Sequence, residues 1–323
     1  MNTELNSPIK SLELATEANF HPNLYAVVNP DLLAEVKRNQ SFDLYTHFRQ
    51  FGIHERRMQL SPKLFFLMKE KFSLFKGILA SQGYHHTAVD GAFPISTSSH
   101  VFDLTSYEGE SANPSPWFWV DEIAANPRNL YLDLGAGFRE EVYLNCVNLE
   151  VYPSLTADVI IAPNSPLPFK DESLDGVGCF SVLEHTSDPF TLAAEIKRVI
   201  KPGGRLFIDW PFLQPFHGYP SHYFNATAVG LCQTFSDTFE IETLEAMEWQ
   251  RVDSTLSWIL SSFVDGIKNE KVKDDFLCLT VRELLEKKPK SNFYRTLLET
   301  VDDDTKKKLA CGNTLIGRKK NVA

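Results

Sequence analysis

The 323-residue chain predicts an α/β fold, an open and mainly parallel sheet with helices on both faces. Three observations predict it. From Asn129 to Pro211, short apolar runs alternate with helical periodicity and turn signals, the pattern of strand–helix–strand units. The first of these runs closes on Asp133-Leu134-Gly135-Ala136-Gly137. A strand ending in an acid and a Gly-x-Gly turn lets the backbone approach a ligand closely. The third observation is Val177–Val182, a nearly unbroken apolar run of the kind found in a central strand buried on both faces.

Composition narrows the function classes. Hydrophobic residues make up 43% of the chain and charged residues 23%, as in an ordinary globular protein. The net charge is 32 − 42 = −10, which argues against a nucleic-acid partner held mainly by phosphate contacts. The runs Lys306-Lys307-Lys308 and Arg318-Lys319-Lys320 read as solvated surface. The five cysteines are widely spaced, odd in number and free of any Cys-x-x-Cys, which fits reduced thiols in a cytoplasm. Met1–Lys10 has no apolar signal core, and no apolar run reaches the ~18 residues of a membrane span. A cytoplasmic protein without a span is expected.

Taken in order, residues 1–20 read as a loose polar lead-in. Asn23–Leu60 is helical and rich in aromatics, with Asn29-Pro30-Asp31 as a helix start and Gly52 as a stop. Tyr25–Asp31, His47-Phe48 and Phe51–Arg57 together resemble a small helical module whose pattern is Asn-Pro-Asp, then His-Phe, then a Gly followed by Glu-Gly-Arg. That last triplet is Glu55-Arg56-Arg57 here. The module recurs in bacterial surface-polysaccharide and glycosyltransferase systems. Leu64–Leu79 predicts an amphipathic helix. Gly91–Glu110 reads as loop, and His85-His86 as surface. Trp117-Phe118-Trp119 leads into a short helix ending at Asn126-Pro127, its aromatics assigned to the core. The expected organisation is a helical module over 1–80, a connecting segment over 81–128, and a main domain over 129–323.

Within the main domain, strands are expected at Leu130–Leu134, Cys146–Glu150, Ala157–Ile161, Gly176–Val182 and Arg205–Trp210. Phe138–Asn145 leaves room for a crossover helix of only one or two turns. Glu150 ends the second strand with two acceptor oxygens, suited to two adjacent hydroxyls. Asp188-Pro189 starts a helix whose apolar face is Leu192, Ala193, Ile196, Val199 and Ile200, and Lys201-Pro202-Gly203-Gly204 stops it. Further on, a helix is expected at Ala226–Phe235, a sixth strand at Phe239–Met247, a helical insertion over 256–309, and a last, antiparallel strand at Cys311–Lys319.

Four stretches in one order resemble a class I S-adenosylmethionine-dependent methyltransferase. They are Leu132–Gly137, Leu167-Pro168-Phe169, Val182-Leu183-Glu184-His185 and Glu195–Gly204. The resemblance runs from about Asn129 to Met247 and implies a Rossmann-like seven-stranded methyltransferase sheet with S-adenosyl-L-methionine as cofactor. It implies that Gly135 and Gly137 pass backbone beside the methionine end and that Asp133 organises the loop, partly through backbone N–H groups. It further implies that Glu150 holds the ribose hydroxyls, that Asn164 and Ser165 face the adenine, and that Phe180 and Ser181 line the pocket. The chain departs from the family at Ile161–Ser165, where an acid for the adenine amino group is missing and Pro163 cannot donate an N–H. Asn164 could accept that bond, and cofactor binding is expected to be retained.

The methyl acceptor is less legible. The resemblance implies direct in-line displacement on the sulfonium methyl, with a general base where the acceptor needs one. His185, His217 and His222 are the candidates, each also readable as a residue that fixes a turn or loop by hydrogen bonds. No third ligand at a recognisable spacing joins them, so no metal is expected. The expected partner is a small-molecule or glycan acceptor, the glycan resting on the N-terminal module. The insertion over 256–309 can cover the acceptor site or form a homodimer contact, and association with glycosyltransferases is the other partner reading. Within enzymes the alternative is a small-molecule or lipid-quinone acceptor, and from a different class it is a cofactor-binding scaffold with little or no activity.

Overall fold

A computed structural model describes residues 7–80, 84–86, 94–96, 113–218 and 221–311. The chain divides into two compact units, Met1–Asp209 and Trp210–Ala323. The strands of the first unit are β1 (Ile9–Lys10), β2 (Leu12–Leu14), β3 (Met58–Leu60), β4 (Tyr84–His86), β5 (Pro94–Ser96), β6 (Tyr131–Leu134), β7 (Glu141–Val142), β8 (Cys146–Glu150), β9 (Val159–Ile160), β10 (Leu174–Phe180) and β11 (Ile200–Asp209).

Five of them, in the order β11-β10-β6-β8-β9, run parallel. β6 lies in the middle and is buried along its length. β5 adds to β9 in parallel, and β4 pairs antiparallel with β5. The two outer strands therefore come from residues ahead of the five. The strand expected at Phe239–Met247 is irregular instead. Glu240, Glu242 and Glu245 keep that segment in water, and no strand pairs with it among the described residues. The strand expected at Cys311–Lys319 lies, beyond Cys311, outside the described residues.

An aromatic layer covers one face of the sheet. Helix Trp117–Ala125 sets Trp119, fully buried, edge-on against Tyr131 at 5.5 Å between ring centroids. Trp119 also meets Phe207 at 5.3 Å. Gly176 and Gly178 make room for this layer. A Cβ on Gly178 would stand 2.8 Å from the Trp119 ring, and one on Gly176 would stand 2.9 Å from the Tyr131 ring. The aromatics are thus core, as expected, apart from Trp117, which is exposed.

Three further expectations are corrected. Residues 138–145 hold no helix. Eight residues of helix would advance only about 12 Å with nothing left for the turns, and the segment crosses as extended chain carrying β7. The lead-in is not loose, because β1 pairs antiparallel with β7, and β2 with β3. Leu24, Leu60, Leu64, Leu67 and Val142 pack together, so N-terminal residues are packed with the first crossover. Finally, helix Pro189–Val199 ends without a turn. Ile200 already pairs with Leu174, and Lys201–Gly204 bulges out before Arg205 pairs with Gly176. Gly203, at φ 78°, forms part of that bulge.

In the N-terminal helices, Arg57 Nη1 donates to both oxygens of Asp31 at 2.9 and 2.7 Å, and the Asn29 amide donates to the carbonyls of Tyr25 and Met58. Gly52 lies against the Tyr25 ring, with no room for a side chain.

The second unit is helical at Ala228–Phe235, Val252–Gly266, Glu270–Leu277, Val281–Glu286, Asn292–Thr300 and Asp303–Lys308. Asn269, Thr280 and Asp302 cap three of these helices through side-chain oxygens. Ile267, Leu297 and Val301 form its small core. Among the described residues no helix is long and apolar enough to cross a membrane.

Candidate active site at the carboxyl ends of the parallel strands

In an open α/β sheet, ligands bind beyond the carboxyl ends of the strands. Here those ends bring together Asp133 and the glycine turn after β6, Glu150 at the end of β8, and Ser181 to His185 after β10. The turn is sharp. Gly135 and Gly137 lie at φ 69° and 62°, the left-handed region that glycine occupies without strain. Gly135 is also fixed by packing, because a Cβ there would meet Val182 at 2.3 Å.

The turn is bonded into the sheet by its own main chain. The N–H groups of Gly135 and Ala136 donate to the Leu149 carbonyl at 2.9 and 3.2 Å. Gly137 N–H donates to Glu150 Oε1 at 2.6 Å, and Val151 N–H to Glu150 Oε2 at 3.0 Å. The Ser154 and Thr156 hydroxyls donate to the Gly137 carbonyl. Glu150 is 5% exposed.

Asp133 does not engage the turn's backbone among the described hydrogen bonds. It accepts instead from Arg139, Nε to Oδ2 at 2.8 Å and Nη2 to Oδ1 at 3.1 Å, a side-on fork on a buried pair. Arg139 came from a stretch whose only sequence signal was its shortness.

The expected adenine residues lie on the loop after β9. Asn164 is exposed, at φ 61°, and its side chain exchanges hydrogen bonds with the Ser187 hydroxyl. Ser165 is half-buried and its N–H donates to the Ala162 carbonyl. Phe180 belongs to the aromatic layer, 6.1 Å from Phe118 and from Trp119. Ser181, at φ 56°, donates its N–H to the Asp209 carbonyl. That left-handed residue turns the chain off β10 into the short helical turn Leu183–His185.

In that turn Glu184 is fully buried, and among the described residues neither carboxylate oxygen has a hydrogen-bond partner. Burial, with the charge of Asp209 adding to it, pushes its pKa up to about 8. His185 is partly exposed, its Nε2 3.8 Å from Glu184 Oε1. A carboxyl with a raised pKa beside an imidazole at a strand end has the composition of a proton-transfer pair.

His217 and His222 belong to the second unit and stand together, ring centroids 4.6 Å apart. His217 Nδ1 is 2.8 Å from the Pro215 carbonyl, and the His217 N–H donates to His222 Nδ1 at 3.3 Å. His222 Nε2 meets the Asn225 side-chain oxygen. Both rings thus carry hydrogen bonds within their own loop.

Residues 130–208 match a family model described as a methyltransferase domain. This stretch runs from the start of β6 nearly to the end of β11 and so comprises the five parallel strands. A tRNA U34 carboxymethyltransferase from Campylobacter curvus is 27% identical over 129 residues, covering 34% of this chain and 43% of the relative. A demethylmenaquinone methyltransferase from Renibacterium salmoninarum is 25% identical over 177 residues, covering 52% of this chain and 66% of the relative. The chain thus spans less than two thirds of either. A solved structure of a putative methyltransferase from Bacillus halodurans is 18% identical, with a TM-score of 0.30, covering 55% of this chain and 84% of that one.

Proposed function

We propose that this protein is a methyltransferase that uses S-adenosyl-L-methionine and delivers the methyl group to a small acceptor. The observation that carries the reading is a coincidence of position. The methyltransferase-domain match covers β6 to β11, and within it Glu150 and the Gly135–Gly137 turn meet at the carboxyl ends of β8 and β6. Bound there, the cofactor would supply an electrophilic methyl on sulfur. The protein's own residues would do the rest. Glu150 would accept from the ribose hydroxyls, while the turn after β6 would approach the amino-acid end. Asn164 and Ser165 would border the base. Catalysis of this kind is mostly positioning, since the group to be transferred is already activated.

A proton acceptor at the acceptor's nucleophile would come from the end of β10, where His185 stands next to Glu184, or from the His217–His222 loop. The acceptor class we favour is a sugar or glycan hydroxyl, on the resemblance of residues 25–57 to a module of polysaccharide systems. A quinone ring or a modified tRNA base is the acceptor that the relatives' names would suggest. A second reading, a cofactor-binding scaffold with little turnover, is favoured by Pro163 and by Asn164, which bonds Ser187 where an acid is expected.

The test is transfer of labelled methyl from S-adenosylmethionine to sugar nucleotides, oligosaccharides, quinone precursors and tRNA, each offered separately. Turnover on the carbohydrate set alone is expected. Cofactor binding with no turnover on any acceptor would favour the scaffold.

A further inference from the structure

An amino-acid tail brings a carboxylate, and the turn after β6 is poorly provided to receive one. The N–H groups of Gly135, Ala136 and Gly137 already donate to Leu149 and Glu150. Residues 138–145 contain no helix, so no helix N-terminus offers donors or a positive dipole end there. Asp133 and Glu150 meanwhile place two carboxylates at neighbouring strand ends. A further anion would enter against both.

The compensating charge is Arg139. It is 7% exposed, its fork engages Asp133, and its charge acts on Glu150 as well. Its Nη1 donates to the Asn113 carbonyl at 2.7 Å. A guanidinium carries five N–H donors. Three are accounted for among the described residues, which leaves one hydrogen on each terminal nitrogen. A side-on fork to one carboxylate keeps the end-on edge of the same guanidinium suited to a second.

We infer that Arg139 binds the carboxylate of the cofactor's amino-acid end and bridges it to Asp133. It thereby takes the role that a free glycine-turn backbone or a helix N-terminus would fill. The inference rests on the methyltransferase reading above and names the group that recognises one part of that cofactor. It also gives Asp133 its function, which is to hold the guanidinium in place rather than to contact the turn.

The experiment compares two ligands by isothermal titration calorimetry. S-adenosylhomocysteine has the amino-acid tail, and 5′-methylthioadenosine lacks it. Arg139→Gln is expected to weaken S-adenosylhomocysteine binding by about tenfold or more, the scale of a lost charge-assisted fork, and to leave methylthioadenosine within about twofold. Arg139→Lys keeps the charge without the fork and should fall between. Asp133→Asn with Arg139→Gln removes both buried charges together, so it supplies the same comparison if Arg139→Gln fails to fold. Equal weakening of both ligands would show a structural role only and overturn the inference, as would no change in either. Wild-type protein that binds methylthioadenosine as tightly as S-adenosylhomocysteine overturns it and leaves the methyltransferase reading standing. Wild-type protein that binds neither ligand overturns both.

Discussion

Glu184 sits in an environment at odds with what its side chain prefers. Burial, with no hydrogen-bond partner among the described residues, favours the protonated carboxyl, hence the pKa of about 8 against an ordinary value of 4.5. The sign follows from proton counts. Between about pH 5 and pH 8 the unfolded chain has released this proton while the folded chain retains it, so stability falls as pH rises. Glu184→Gln is expected to flatten that fall, with a relative gain of about 3 kcal/mol at pH 8 over pH 5 in urea denaturation. Identical slopes in wild type and variant would contradict the account. The turn glycines teach a different lesson. Gly135→Val is a poor probe of cofactor binding, because its side chain would collide with Val182 before any ligand arrived.

At the scale of elements, the core strands were legible because each carries its own signal. Leu130–Leu134 and Cys146–Glu150 are short apolar runs punctuated by an acid, and β6 and β8 form there. The first crossover was not legible as extended chain, because its form depends on a distant partner, β1, which no local pattern announces. Phe239–Met247 failed for the converse reason. It alternates like a strand, and nothing described pairs with it. The same dependence on distant residues governs the candidate site. Glu150 could be found from its place at a strand end, whereas Arg139 acquires meaning only when the chain folds back on Asp133. Helix Lys63–Phe75 is tied in by Lys71, fully buried, whose ammonium lies 2.7 Å from Asp158 Oδ2. Lys71→Met strands that carboxylate in the interior and is expected to cost about 3–5 kcal/mol in chemical denaturation. Adding Asp158→Asn should restore most of the loss, since the burial penalty then falls on a neutral amide. A loss below about 1 kcal/mol for Lys71→Met would show that the pair is not closed in the folded state.

For the molecule as a whole, one unit carries the parallel sheet with its candidate site, and the other carries the helices of residues 210–323 with the paired histidines. The N-terminal residues are part of the sheet-bearing unit, since β1 supplies the partner of β7 and Lys71 that of Asp158. Any role of these residues toward glycans is therefore to be sought in a unit that also holds the stretch matching a methyltransferase-domain model. If the carboxyl ends of β6 and β8 hold S-adenosylmethionine as proposed, with Glu150 on the ribose, titration of S-adenosylhomocysteine will show saturable one-site binding to the wild-type protein and a loss of about tenfold or more in Glu150→Ala. No binding by the wild type, or equal binding by both, would contradict the proposal.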